Sequence, residues 1–207
     1  GLFMLKNENK EPLKAFILAA GYGTRLRSVT GKKPKPLVPF MNQPTLFHIL
    51  DQIKKAGLKK ICINLHYEAE TLKKAIKLYE KEGLEILLSQ EKELLGTGGA
   101  LSAKKVRLWR GSSDLFVINS DIIHSFDLKK LILAHKKEKA LVTLAVNKIP
   151  KVKKTILWCE KGFLRSFSKK EGNTETPHSF ACMHLLSDKI LSQLPQEKNF
   201  SIISVYE

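Results

Sequence analysis

Apolar positions along the chain fall into two alternating patterns, short uninterrupted runs and longer stretches with helical spacing. The run at 16–20 ends at Gly21 and is typical of a buried strand. Over 45–56 the apolar residues share one helical face, which predicts an amphipathic helix that ends at Gly57. The same criteria predict strands at 60–65, 84–88, 114–119 and 141–146. They predict helices at 68–82 and at 128–135. Between these two, they predict a glycine-rich turn at 96–99 followed by a helix to about residue 106.

This alternation predicts an α/β fold with a doubly wound, mostly parallel (Rossmann-like) sheet over residues 13–147. Strands separated by helices of about 10 to 15 residues pair in parallel through right-handed crossovers. The later sequence predicts an antiparallel pair at 155–159 and 163–167, a strand at 180–186 and a short helix to Leu194. Because no linker or repeat divides the sequence, we expect one domain, 1–207, with a small β-rich C-terminal addition at 148–207.

Composition narrows the classes of protein. With 43% hydrophobic and 27% charged residues the chain is typical of a soluble globular protein. Its apolar runs are far shorter than the roughly 20 residues of a membrane span. The three cysteines are an odd number and are spread along the chain, which argues against a disulfide framework or a structural zinc site and fits a reducing cytoplasm. Cys62 stands in an apolar run and is expected to be a buried thiol.

The net charge of +16 raises the alternative of a nucleic-acid-binding face. Only five of the 36 basic residues are arginines, the side chain best suited to clamping phosphates and reading bases. The lysines are spread over every segment of the chain. We therefore interpret the excess charge as mainly a solvated surface and expect no specific nucleic-acid partner. The oligomeric state stays open, a homo-oligomer included.

A glycine loop follows the first predicted strand. Gly21 and Gly23 let the backbone approach a polyanion and direct N–H groups at it. The loop is neither a P-loop, since it lacks the Gly-Lys-Ser/Thr ending, nor a dinucleotide fingerprint, since Leu26 replaces the third glycine. Taken alone it could equally be a structural turn. Arg25 and a lysine braced by prolines, Lys35, make a triphosphate clamp the better interpretation.

Two motifs carry a family resemblance. Leu-Ala-Ala-Gly-x-Gly-Thr-Arg-Leu, starting at Leu18, and Pro-Lys-Pro-Leu-x-Pro, starting at Pro34, resemble the signature of the sugar-phosphate nucleotidyltransferases, also called nucleoside-diphosphate-sugar pyrophosphorylases. Within that family the chain is similar to the mannose-1-phosphate guanylyltransferases and the N-acetylmuramate-1-phosphate uridylyltransferases. Three further segments resemble the family: 63–70 with its second strand, 90–101 with its base-recognition segment, and 116–121 with its metal-binding strand.

The resemblance implies a role for each matched residue. Arg25 and Lys35 are expected to be catalytic, Asp121 to hold Mg2+, and Asn119 and Lys170 to contact the sugar phosphate. The residues expected to bind the nucleotide are Leu18, Ala20, Gly21, Gly23 and Thr24 around the phosphates, and Gln90, Gly96 and Thr97 around the base. For His66 a structural role is favoured.

The sequence also departs from the family pattern. Ser28 stands where proline is usual, Ser120 where glycine usually precedes the metal aspartate, and Cys182 where glycine is common. The family continues to a later strand with a second metal-binding acidic residue, which would lie beyond Glu207. We therefore expect either a truncated chain or a site that is completed differently.

The implied reaction is transfer of a nucleoside monophosphate from a triphosphate to a sugar-1-phosphate, with release of pyrophosphate. Glutamine followed by Gly-Thr favours UTP, and a guanylyltransferase acting on mannose-1-phosphate is the alternative. Two other functions stay open: a cytidylyltransferase for a non-sugar acceptor such as phosphocholine, and a non-catalytic nucleotide-binding domain.

Overall fold

The structure is a computed structural model. It describes nine segments of the chain, namely residues 10–20, 39–40, 43–66, 69–80, 83–122, 124–148, 156–167, 172–196 and 199–207.

Within these segments the strands are β1 (Lys14–Leu18), β2 (Pro39–Phe40), β3 (Gln43–Pro44), β4 (Lys60–Leu65), β5 (Glu85–Gln90), β6 (Leu115–Asn119), β7 (Val142–Asn147), β8 (Ile156–Glu160), β9 (Phe163–Phe167) and β10 (Thr176–Leu186). The helices are α1 (Thr45–Lys55), α2 (Ala69–Glu80), α3 (Gly96–Ser102), α4 (Lys104–Arg110), α5 (Leu128–Glu138), α6 (Asp188–Leu191) and α7 (Ile203–Tyr206).

The larger sheet of the described residues has eight strands, in the order β5-β4-β1-β6-β10-β8-β9, with β7 also paired to β10. Strands β5, β4, β1 and β6 are parallel neighbours, which confirms the predicted α/β core. Strand β10 runs antiparallel to β6, β7 and β8. The C-terminal part therefore contributes an internal strand, and β7 joins the sheet through β10.

Each face of the core sheet is covered by its own helices. Because side chains alternate along a strand, Ala15 and Ile17 of β1 point to one face and Phe16 to the other. The first face packs against α1 and α2 through residues such as Leu46 and Leu72. The second face packs against α3, α4 and the C-terminal residues around Ile202, and it contains Cys62. As expected, the Cys62 thiol is fully buried, and burial raises its pKa to about 12.

Two glycine predictions have different outcomes. Gly57, with φ of +87°, ends α1 as predicted, because only glycine enters this region without steric cost. The predicted turn at 96–99 is wrong: these residues form the first turn of α3. Their low helix propensity is overridden because the absence of side chains lets the C-terminal segment pack directly on this turn.

Strand β10 is irregular near its middle. Its pairing with β7 shifts register between Phe180 and His184, as at a β-bulge. Cys182 lies within this shift and has φ of +58°, the left-handed region that glycine favours. The structure thus explains why a glycine suits this position and shows that cysteine occupies it with backbone strain.

None of the helices in the described segments has the length and apolar character needed to cross a membrane.

Candidate functional site

The carboxyl ends of β1, β4, β5 and β6 meet at one edge of the sheet, where doubly wound folds bind ligands. Leu18, the last residue of β1, lies in register between Asn64 of β4 and Asn119 of β6. The structure therefore brings together Leu18 and Asn119, which the sequence assigned to the nucleotide and to the sugar phosphate. Ala20, also predicted to bind nucleotide, is buried just beyond this point.

Several predicted site residues lie outside the described segments, and their roles stay predictions. They are Gly21, Gly23, Thr24, Arg25, Lys35 and Lys170.

Asp121, the predicted metal ligand, follows directly on β6. The Ser120 N–H donates to the Leu18 carbonyl at 3.0 Å and extends the pairing of β1 and β6 by one residue. Ser120 is buried, whereas Asp121 is partly exposed in a turn that the bond from Ile122 N to Asn119 O, 3.4 Å long, closes. The backbone at Asp121 therefore follows directly on a residue that pairs with the last residue of β1.

The donor set at Asp121 is compatible with magnesium in the way the family resemblance implies. Across the described part of the chain, no group of three or more His, Cys, Asp or Glu side chains could hold a metal ion. Magnesium is usually held by one or two carboxylates together with substrate phosphates and water, so a single carboxylate at a strand end suits it better than an all-protein cage would.

The C-terminal segment contacts the turn that contains the predicted base-recognition residues Gly96, which is exposed, and Thr97, which is partly exposed. Gly98 N donates to the Phe200 carbonyl at 2.9 Å, and the Thr97 hydroxyl oxygen accepts from Ile202 N at 2.8 Å. A Cβ atom on Gly98 would overlap the Phe200 ring. The glycines of this turn therefore permit a close approach of residues 199–202, a contact that local sequence patterns do not reveal.

A buried aromatic contact anchors the end of the same segment. The Tyr206 hydroxyl and His184 Nδ1 are hydrogen-bonded at 2.5 Å, and the two rings meet edge to face. Burial lowers the pKa of His184 to about 3, so its imidazole is neutral and can accept this bond. Helix α7 is thereby attached to β10.

Gln90, the predicted base reader, ends β5, and its side chain is turned toward α2. It is exposed, and its Oε1 accepts from Lys73 Nζ at 2.9 Å. Alternation along the strand places the next residue, Glu91, on the opposite side. Glu91 is buried, and its Oε2 accepts from the backbone N–H of Leu95, directly before Gly96, at 3.2 Å. Gln90's role at the base stays a prediction.

Glu91 also connects β5 with β4 and β1. Its Oε1 accepts from Asn64 Nδ2 at 2.7 Å, and Asn64 Oδ1 accepts from the Ala19 N–H at 2.7 Å. Burial raises the pKa of the Glu91 carboxyl, while the hydrogen bonds from Asn64 and Leu95 oppose that rise. His66, for which a structural role was favoured, donates from Nδ1 to the Glu91 carbonyl at 3.0 Å. Sequence reasoning missed this network, although a buried asparagine in a strand was its visible sign.

The opposite edge of the sheet contains a second polar network. Lys14 Nζ, at the start of β1, donates to Glu11 Oε2 and to the carbonyls of Trp109 and Arg110 at 2.7 to 3.0 Å. The buried Arg110 guanidinium pairs with Asp188 Oδ1 at 2.5 Å. This network joins the N-terminal segment, α4 and α6 at the end of the sheet away from the candidate site.

Asp114 lies in the same network. Its carboxylate accepts from Asp188 N at 2.7 Å and from Lys10 Nζ at 2.8 Å, while His135 Nε2 lies 3.8 Å away. Burial opposes ionisation of this carboxyl, but the interactions with His135, Lys10 and Asp188 outweigh burial and lower its pKa to about 2.

Comparison with known proteins gives concordant results. Mannose-1-phosphate guanylyltransferase catalytic subunit beta of Drosophila melanogaster is 35% identical over 184 residues, which cover 87% of this chain and 50% of that protein. The protein of the same name from Xenopus tropicalis is 38% identical over 162 residues, covering 76% of this chain and 45% of that protein. The chain thus spans about half the length of the curated relatives it matches.

Solved structures share the fold. HddC from Yersinia pseudotuberculosis superimposes with a TM-score of 0.75 at 27% identity, covering 91% of this chain and 82% of that one. A UDP-glucose pyrophosphorylase complexed with UDP-glucose gives a TM-score of 0.74 at 19% identity, covering 95% and 86%, and supports the fold alone. The family model described as Nucleotidyl transferase matches residues 14–155. The chain belongs to the nucleotidyl transferase family.

Proposed function

We propose that this chain transfers a nucleoside monophosphate from a nucleoside triphosphate to a sugar-1-phosphate, giving a nucleoside-diphosphate sugar and pyrophosphate. The observation that carries the proposal is the convergence at one sheet edge of three elements. These are the exit of β1 before the glycine loop, the Asp121 turn after β6, and the region between β5 and α3. Family membership supports the same assignment.

In the proposed reaction a phosphate oxygen of the sugar-1-phosphate attacks the α-phosphorus of the triphosphate, in line with the departing pyrophosphate. Catalysis of this kind depends on positioning and charge stabilisation. Arg25 neutralises the leaving pyrophosphate, and Lys35 bridges the transferring and incoming phosphates. Asn119 and Lys170 hold the sugar phosphate.

The remaining proposed roles concern the nucleotide and the metal. Backbone N–H groups of the glycine loop hold the triphosphate, and the segment at Gln90, Gly96 and Thr97 faces the base. Asp121 would hold Mg2+, which when bound neutralises phosphate charge. We also propose that the chain is one domain, because β10 pairs with the core strand β6 as well as with β7 and β8.

For the substrates we propose GTP and a mannose-type sugar-1-phosphate. Glutamine before Gly-Thr favoured UTP, but the relatives above are named as mannose-1-phosphate guanylyltransferases. The HddC structure has also been solved in complex with GMP-PN, with a TM-score of 0.74 to this chain. These two observations favour a guanine nucleotide.

The test is pyrophosphate release by the 207-residue chain, measured with each of four triphosphates against several sugar-1-phosphates, with and without magnesium. We expect release with GTP and mannose-1-phosphate that depends on magnesium and falls sharply in Asp121→Asn. Release with phosphocholine and CTP instead would identify the alternative acceptor. Triphosphate binding without release in any combination would identify a non-catalytic nucleotide-binding domain.

A further inference from the structure

We propose that Asn64 and Glu91 are positioning residues that hold the triphosphate-binding and base-binding backbone at a fixed separation. The proposal rests on the proposed function, because it concerns how that site is kept in shape. Neither residue is among the site residues that the sequence motifs indicated.

The two side chains form a continuous hydrogen-bonded bridge across three strands. At one end the Ala19 N–H, two residues before Gly21, donates to Asn64 Oδ1 at 2.7 Å. In the middle Asn64 Nδ2 donates to Glu91 Oε1 at 2.7 Å. At the other end the Leu95 N–H, directly before Gly96, donates to Glu91 Oε2 at 3.2 Å. One end thus adjoins the glycine loop and the other adjoins the segment assigned to the base.

The bridge has a fixed direction of donors and acceptors. Both of its ends are backbone N–H groups, which can only donate. Asn64 supplies one acceptor and one donor, so the last member must accept at both of its polar atoms. An ionised carboxylate does this, whereas a glutamine amide at position 91 would face one of the two N–H groups with its own donor.

Burial makes a mismatch in this bridge costly. Asn64 is 3% exposed and Glu91 is 6% exposed, so water cannot easily replace a lost partner. If one of these N–H groups loses its acceptor, the backbone at Ala19 or at Leu95 has to move so that the group can find another partner. Such movement changes the distance between the two halves of the nucleotide site.

The arrangement of donors and acceptors can be tested directly by exchanging the amide at position 64 and the carboxylate at position 91. In Glu91→Gln one end of the bridge is mismatched, and in Asn64→Asp two carboxylates face each other. In the double variant N64D/E91Q the carboxylate introduced at position 64 accepts from Ala19 N and from the side-chain amide introduced at position 91. The carbonyl oxygen of that amide accepts from Leu95 N. Every donor is then satisfied again, with the negative charge moved from position 91 to position 64.

The experiment measures KM for GTP, kcat, the calorimetric Kd for Mg-GTP and the thermal midpoint for the wild-type chain, both single variants and the double variant. We expect each single variant to raise KM and Kd at least about tenfold, with a smaller change in kcat. Glu91→Gln leaves a buried donor without an acceptor, and Asn64→Asp places two buried carboxylates against each other. The double variant should return to within about threefold of wild type. Glu85→Gln, on a side chain that is 71% exposed at the other end of β5, is the matched control and should leave all four quantities unchanged.

A pH profile distinguishes the bridge from general loss of packing. Two facing carboxylates at 64 and 91 would share a proton, so binding by Asn64→Asp should improve as the pH falls toward about 5. Glu91→Gln, which lacks the second carboxylate, should show no such recovery.

The other outcomes overturn the inference in recognisable ways. Unchanged KM and Kd in Glu91→Gln would remove Glu91 from positioning and leave the proposed function intact. A double variant as impaired as Glu91→Gln would mean that the Glu91 carboxylate itself is required. If the single variants do not fold, a folded double variant with normal Kd supports the bridge, and an unfolded one contradicts it. If the wild-type chain neither binds any of the four triphosphates nor releases pyrophosphate, the proposed function is wrong and this inference with it.

Discussion

The two ends of the central sheet satisfy buried polar groups in different ways. At the amino ends of β1 and β6, Lys14 and Arg110 are paired with acidic residues and backbone carbonyls. At the carboxyl ends the buried Glu91 is held by amide donors from Asn64 and Leu95. At the amino ends, the cationic side chains are neutralised by ion pairs that stabilise the fold. At the carboxyl ends, neutral amide groups orient the backbone, so the cations near a bound triphosphate are not neutralised by this network.

The largest effect should come from the carboxyl-end edge. In the proposed reaction Lys35→Ala removes the cation that bridges the transferring and incoming phosphates, so turnover should fall at least about 100-fold. Steady-state pyrophosphate release measures this, and the thermal midpoint should change little. Lys33→Ala, in the same proline-rich segment, is the control and should change turnover only a few-fold. Near-normal turnover in Lys35→Ala would remove Lys35 from the mechanism.

The amino-end edge should show the opposite response. Lys14→Met keeps most of the buried stem but removes the Lys14 donor from the Trp109 and Arg110 carbonyls, of which the Arg110 carbonyl still accepts from Ser113 N. The free energy of unfolding should therefore fall by about 1–3 kcal/mol. Urea titration measures the loss, and KM and kcat of the folded fraction should stay unchanged. Lys10→Met, on a side chain that is 57% exposed, should cost less than about 1 kcal/mol. A changed KM in Lys14→Met would contradict the conclusion that the amino-end network affects stability without affecting substrate binding.

A pH series sharpens the comparison further. The Asp114 carboxyl has a folded-state pKa of about 2, below its ordinary value of 3.8, so its ionisation stabilises the fold above about pH 4. That stabilisation, about 2 kcal/mol from the pKa difference, should be lost as the pH falls toward 2. Wild type and Asp114→Asn should therefore differ in urea midpoint at pH 7 and converge in acid. A difference that persists unchanged at pH 2 would show that ionisation is not its cause.

The smallest effect is expected at the bulge of β10. Cys182→Gly relieves a left-handed backbone that costs a non-glycine residue about 1 kcal/mol, partly offset by the entropy of glycine in the unfolded chain. The thermal midpoint should rise slightly. Cys159→Gly, at a position of β8 whose φ is not positive, should instead lower it. A lower midpoint in Cys182→Gly would mean that the contacts of this thiol outweigh the strain.

Local patterns were sufficient to locate several helices and strands along the chain. The bounds of β4 agree with prediction, and those of α1 and β6 agree within one residue, because each combines a clear apolar period with a definite stop. The placement of β10 was not predictable, since its pairing with β6 joins Met183 to Ile118 across more than sixty residues of chain. No local signal encodes such a register.

The candidate site was predictable in part for the same reason. The edge at Leu18, Asn119 and Asp121 follows from parallel strands that share their carboxyl ends. The Asn64–Glu91 bridge could have been suspected from strand alternation, which turns Glu91 away from Gln90. The cover that Phe200 provides over Gly98 depends on a contact between distant residues and had no local sign.

The internal position of β10 has a consequence for how the chain reaches its fold. Strands β1, β4, β5 and β6 can pair as they are synthesised, but until residue 186 is available β6 has an open side. That open side is a row of unpaired backbone groups flanked by the buried apolar residues Leu115, Phe116, Val117 and Ile118. The unpaired side of a strand can form hydrogen bonds with other strands, including those of neighbouring chains. A nascent or shortened chain that ends before β10 is therefore expected to aggregate. Aggregation of this kind should cease once β10 has been synthesised and has paired with β6.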